Sequence, residues 1–143
     1  MCDGSTVSSR FNRGTEDGAV GSLAAWRIAE GDRAGVSVST AGDVNGDGFD
    51  DLILSAPFGN APERPSGEAF VIYGSAEGTD VDLRALSPTQ GFIIRGINVS
   101  LVQDTAVSSA GDVNGDGFDD LIVGEPIGGG GEAYVIYGGA TET

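Results

Sequence analysis

Thirteen consecutive residues, Ala41–Ile53 (AGDVNGDGFDDLI), recur letter for letter as Ala110–Ile122. In a chain of 143 residues a duplication of that length fixes the architecture as a repeat array. Each repeat is a supersecondary unit that buries its apolar face by stacking on a neighbour. The repeat continues past the identical string: Asp51–Leu54 answers Asp120–Val123, and Pro57 and Pro126 follow. Gly67–Gly74 (GEAFVIYG) then answers Gly131–Gly138 (GEAYVIYG) at a slightly smaller offset. The connection is therefore shorter in the second copy, a change that a surface loop tolerates.

The periodicity is that of strands. Val36 and Val38 alternate with Ser37 and Ser39, the pattern of a half-buried strand. Leu52–Leu54 and Leu121–Val123 are short apolar runs between turn residues, and Phe70–Tyr73 and Tyr134–Tyr137 are β-branched and aromatic. Phe92–Ile94 is a further strand candidate after a polar stretch, within which Asp80–Leu86 has room for one or two helical turns. Four antiparallel strands per unit make a propeller blade. The expected fold is all-β, with two four-stranded antiparallel β-propeller blades in the chain order D-A-B-C-D-A-B-C. In that scheme Ala25–Ile28 is an outer strand that completes the C-terminal blade. By sequence, residues 1–24 form an N-terminal extension without clear periodicity, 25–90 the first blade with its preceding outer strand, and 91–143 the second blade.

The duplicated string is also a set of oxygen donors. Counted from its first acid, positions one, three, five, seven and nine are Asp43, Asn45, Asp47, Phe49 and Asp51. In the second copy they are Asp112, Asn114, Asp116, Phe118 and Asp120. Alternate residues of a tightly curled loop can face one ion. Three carboxylates, an amide oxygen and the phenylalanine carbonyl make five to seven oxygens, which suits Ca²⁺ better than the stricter octahedron of Mg²⁺. Gly46 and Gly48 supply the positive φ that the curl needs. Asp50 and Asp119, at position eight, are expected to point away from the ion. A plain Asn-Gly or Asp-Gly hairpin turn needs none of the further acids, which repel one another without a cation. Position twelve is Leu54 or Val123, where a helix-loop-helix calcium site has an acidic ligand. The loop therefore joins strands, and the EF-hand and dockerin types are excluded.

Charge narrows the function. The net charge is −15, from 22 acidic and 7 basic residues, all of the latter arginine, so no basic stripe awaits nucleic acid. No run of about 18 apolar residues offers a membrane span. Histidine is absent, which removes the commonest general base and transition-metal ligand. The single cysteine, Cys2, can form neither an internal disulfide nor a thiolate metal site.

The chain resembles FG-GAP repeats, the blades of the integrin α-subunit β-propeller. The resemblance rests on Val36–Ser39, Asp43–Asp51, Ser55–Pro57 and Gly67–Gly74, and on Val107–Ser109, Asp112–Asp120, Gly124–Pro126 and Gly131–Gly138. The family's Phe-Gly is Ala34-Gly35 in one copy and Thr105-Ala106 in the other; no proposed ligand changes. The resemblance implies a calcium loop between the first two strands of each blade, with the ten ligand positions already named and two Ca²⁺ sites. It implies a non-enzymatic module at the cell surface or outside the cell, used in adhesion or recognition, with a protein or glycan ligand. Two blades do not close a ring of about four to eight. A homo-oligomer (dimer or trimer) or the remainder of a longer chain is expected to complete one. The alternatives are a carbohydrate-active hydrolase or lyase on a propeller scaffold, for which Glu68, Glu132 and Asp104 are the remaining acids, and a purely architectural ring-forming unit. Glu125 and Trp26 are expected to be a solvated loop residue and a packing residue.

Overall fold

The structure is a computed structural model, and it describes residues 35–56, 67–76, 81–95, 106–125 and 130–141. The expected outer strand Ala25–Ile28, Trp26, Cys2, Asp104, Pro57 and Pro126, and the Glu125 side chain, lie outside that description.

The described residues form seven strands in two antiparallel sheets. The first sheet contains β1 (Val38–Gly42), β2 (Asp51–Ala56), β3 (Glu68–Ile72) and β4 (Gly91–Arg95), in that spatial order. The second contains β5 (Ala106–Gly111), β6 (Asp120–Glu125) and β7 (Glu132–Ile136). The protein is all-β, as the strand-like periodicity requires. Gly91–Arg95, grouped by sequence with the second unit, pairs with β3 through Phe70–Ile93 and Val71–Phe92 and is the fourth strand of the first sheet. The polar stretch before it contains one 3-10 turn, Leu83–Ala85. Asp82 caps this turn by accepting from Arg84 N–H and pairing with its guanidinium.

The two sheets share one register. Val38 faces Leu54 across β1–β2, and the equivalent Val107 faces Val123 across β5–β6. Leu52 faces Ile72, and Leu121 faces Ile136. Both first strands break register at the same place, between Thr40 and Gly42 and between Ser109 and Gly111. These two glycines have φ of +70°, and each turns its chain out of the strand into the acidic loop.

Because side chains alternate across a strand, each sheet has two distinct faces. The front carries Val38, Leu52 and Leu54 in the first sheet, and Val107, Leu121 and Val123 in the second. The back carries Ile53 and Val71 in the first sheet, and Ile122 and Val135 in the second. The back of the first sheet packs on the front of the second: Ile53, Ala69 and Val71 share a core with Val107, Leu121 and Val123. A second core forms on the front of the first sheet, where Val81 and Leu83 cover Leu54, Phe70 and Ile72. The alternation read at Val36 and Val38 is present, yet both valines are exposed.

Candidate metal centre

Each acidic loop runs from the glycine bulge to the start of the next strand and is organised around its first aspartate. Asp43 Oδ1 accepts from the N–H groups of Gly46 (2.7 Å) and Asp47 (3.1 Å), and Oδ2 from Gly48 N–H (2.9 Å). Asn45 Oδ1 accepts from Asp47 N–H, while its Nδ2 donates to Asp47 Oδ2 at 3.0 Å. Asp47 Oδ1 in turn accepts from Phe49 N–H at 2.9 Å. The loop is thus nucleated by Asx-type turns in which short side chains satisfy backbone donors that no ladder reaches.

The ninth position differs in kind. Asp51 is wholly buried, with one oxygen accepting from Val44 N–H and the other from Gly74 N–H, both at 2.9 Å. It ties the start of the loop to the end of β3. Burial pushes its carboxyl up to about 6, against the pull of the two N–H bonds and with added repulsion from Asp47 and Asp43. Among the described residues the arginine ion pairs are Arg84–Asp82 and Arg95–Glu68, and neither involves an acid of the two loops.

The second loop repeats this arrangement. Asp112 accepts from Gly115, Asp116 and Gly117 at 2.7, 3.0 and 2.8 Å. Asn114 and Asp116 bond each other, and Asp116 holds Phe118 N–H. Asp120, also wholly buried, accepts from Val113 N–H at 2.8 Å and Gly138 N–H at 2.9 Å. All ten residues expected from the sequence therefore lie in two equivalent curled loops. Among the described residues no three acidic side chains converge as a closed cage; Asp43 and Asp112 are turned onto loop N–H groups instead. The donor set is nonetheless all oxygen, and every carboxylate oxygen that holds one N–H keeps a further lone pair. A hard cation fits that chemistry.

Two features of the loops escape a reading of spacing alone. Gly74 and Gly138 close the site from residues distant in sequence; their repetition in the shared Tyr-Gly was the available signal. Asp119, at position eight, reaches the first loop: its Oδ2 accepts from Asp43 N–H at 2.8 Å, and its N–H donates to Asp43 C=O at 3.0 Å. Gly139 N–H adds a bond to Val44 C=O at 2.9 Å. The Phe118 ring lies against Gly46, where an added Cβ would sit 2.5 Å from it. The seam between the sheets therefore passes through the first loop. Glu68 is buried on β3 beside Arg95 at 3.3 Å, and Glu132 is exposed on β7; strand pairing gives them a repeated place in the sheets.

The FG-GAP repeat family model matches residues 34–73 and 105–136, which contain both loops and the strands around them. Integrin alpha-3 of Cricetulus griseus is 30% identical over 121 residues, covering 82% of this chain and 11% of that protein. Integrin alpha-PS2 of Drosophila melanogaster is 34% identical over 113 residues, 76% of this chain and 8% of the integrin. A phosphatidylinositol-glycan-specific phospholipase D of Mus musculus is 36% identical over 111 residues, 71% of this chain and 12% of the enzyme. The chain spans about a tenth of the length of these curated relatives.

Proposed function

The chain belongs to the FG-GAP repeat family, and from that premise we propose that it is a calcium-binding β-propeller module of the integrin α type, non-enzymatic and extracellular or displayed at the cell surface. Each sheet is one blade, in the chain order D-A-B-C-D-A-B-C, with β4 as the outer strand of the first and Ala25–Ile28 as that of the second. Its role is adhesion or recognition of a protein or glycan, or service as an assembly scaffold. The ring is completed by other copies, as a dimer or trimer, or by the remainder of a longer chain.

The observation that carries the calcium reading is the buried Asp51, set beside Asp43 and Asp47 with its carboxyl raised and no arginine ion pair among the described residues. One Ca²⁺ in each loop would be held by Asp43, Asn45, Asp47, Asp51 and the Phe49 carbonyl, and by Asp112, Asn114, Asp116, Asp120 and the Phe118 carbonyl. To reach it, Asp43 and Asp112 would exchange some of their N–H bonds for the ion. Two ions offset four of the fifteen net negative charges. Because the unfolded chain has no assembled site, binding is linked to folding. The non-enzymatic reading rests on the same fact, since the ions occupy the clustered acids. The phospholipase relative keeps a second reading, a hydrolase carrying these repeats, as the alternative.

Isothermal calorimetry and thermal melts test the calcium reading. The expected result is two ions per chain and a rise in melting temperature that EDTA reverses. No heat of binding together with an unchanged melting temperature would overturn it.

A further inference from the structure

Several equivalent positions of the two units carry the same residue, so differences in exposure between them report what covers them. Val44 is 2% exposed, whereas its equivalent Val113 is 55% exposed; Ile53 is 1% exposed against 37% for Ile122. Those pairs belong to the loop and the back face. The front face shows the reverse: Val107 is 6% exposed against 68% for Val38, and Leu121 1% against 42% for Leu52. The covered member of each pair lies at the internal seam. The loops follow the same rule. Gly46 is occupied by the Phe118 ring, while nothing lies within 4 Å of the corresponding point on Gly115. Asp43 N–H is held by Asp119, whereas Asp112 and the plug-equivalent pair Phe49 and Asp50 are exposed.

Among the described residues, the two sheets thus leave uncovered the Val38–Leu52 part of one front, beside the part that Val81 and Leu83 cover, with its Phe-Asp plug, and one back, with its glycine socket. We infer that copies of this chain associate head to tail, the front of the first sheet in one copy seating on the back of the second sheet in the next. The inference rests on reading the sheets as blades of the proposed module. It goes beyond that reading by assigning the interface and its polarity. Phe49 enters the space at Gly115, and Asp50 accepts from Asp112 N–H, as Phe118 and Asp119 do at Gly46 and Asp43 inside the chain. Val38 and Leu52 cover Ile122 and Val135.

A second copy is the occupant because it brings this same pair of complementary surfaces. Front-to-front pairing would instead bring two acidic plugs together without a socket. A contact of this heterologous kind closes into a ring or propagates as a filament. The net charge of −15 opposes it, and the Debye length of about 8 Å at physiological salt screens that repulsion. Association therefore strengthens with added salt.

Analytical ultracentrifugation of the whole chain in physiological salt tests the inference. Leu52→Asp blocks the front and Ile122→Asp blocks the back, at positions already partly exposed. The wild type is expected to exceed monomer mass with rising concentration, and each variant alone to remain monomeric. An equimolar mixture of the variants is expected to give a dimer of twice monomer mass and nothing larger, because one intact front meets one intact back. If either variant unfolds by circular dichroism, Val38→Asp and Val135→Asp replace the pair. A wild type that stays monomeric throughout, a single variant that still self-associates, or folded variants that fail to pair would each overturn the inference. The series is run in calcium and in EDTA beside calorimetry. Association without calcium binding overturns the calcium reading alone, and calcium binding without association overturns this interface alone.

Discussion

Asp43 and Asp119 exchange two hydrogen bonds across the seam between the sheets, one through the Asp119 side chain and one through its backbone. Asp50 is the equivalent of Asp119 in the other unit, with identical neighbours in sequence, and it is exposed. Asp119→Ala leaves Asp43 N–H without its acceptor, and it should cost about 1.5–3 kcal/mol, the range for a hydrogen bond to a charged group. Asp50→Ala should change stability by less than about 0.5 kcal/mol in dilute solution, as surface substitutions do. Urea denaturation of both variants checks the contrast; equal effects would contradict the structure.

The glycines at position four of each loop separate local strain from packing. Gly46 and Gly115 have φ of +77° and +74°, so alanine at either costs about 1–2 kcal/mol for the left-handed backbone. Only Gly46 also meets the Phe118 ring. Gly46→Ala should therefore be the more destabilising of the two, measured by thermal melts in EDTA.

The raised carboxyl of Asp51 gives the calcium-free protein an unusual pH response. Its folded value of about 6 lies above the ordinary value of 3.8, so the folded state binds the proton more tightly than the unfolded chain does. This favours the folded state at low pH, and the advantage is lost as pH rises through about 6. The full effect is on the order of 3 kcal/mol, from about 1.4 kcal/mol per pK unit. Denaturation in EDTA should show stability rising between neutral pH and about pH 5. Asp51→Asn should flatten that rise. On the calcium reading, added calcium should reverse the slope, since protons would then compete with the ion.

Ion counting separates the loops. On the calcium reading, Asp43→Asn and Asp112→Asn each remove one proposed charged ligand while keeping a side-chain oxygen for the loop N–H groups. Calorimetry should find the stoichiometry reduced from two ions to one in each single variant and no binding in the double variant.

Much of this molecule is legible from the duplicated string and the Tyr-Gly repeat. They place the strands, the connection between β1 and β2, and the ten loop residues, because strand alternation and Asx turns are local properties. Other features depend on context. Asp50 and Asp119 are the same letter in the same string, and only the neighbouring sheet distinguishes them. The valines at Val36 and Val38 alternate as a half-buried strand should, yet both are exposed, and Val81 and Leu83 cover only Leu54, Phe70 and Ile72 on the face that carries Val38.

The identical strings also make the chain its own reference. Amide hydrogen exchange depends on nearby side chains and on protection by structure, and the first factor is the same at Val44 and Val113. Any difference in their exchange rates therefore measures the seam directly, in one tube and without a mutation. If a further copy were to cover Val113, the two rates would draw together.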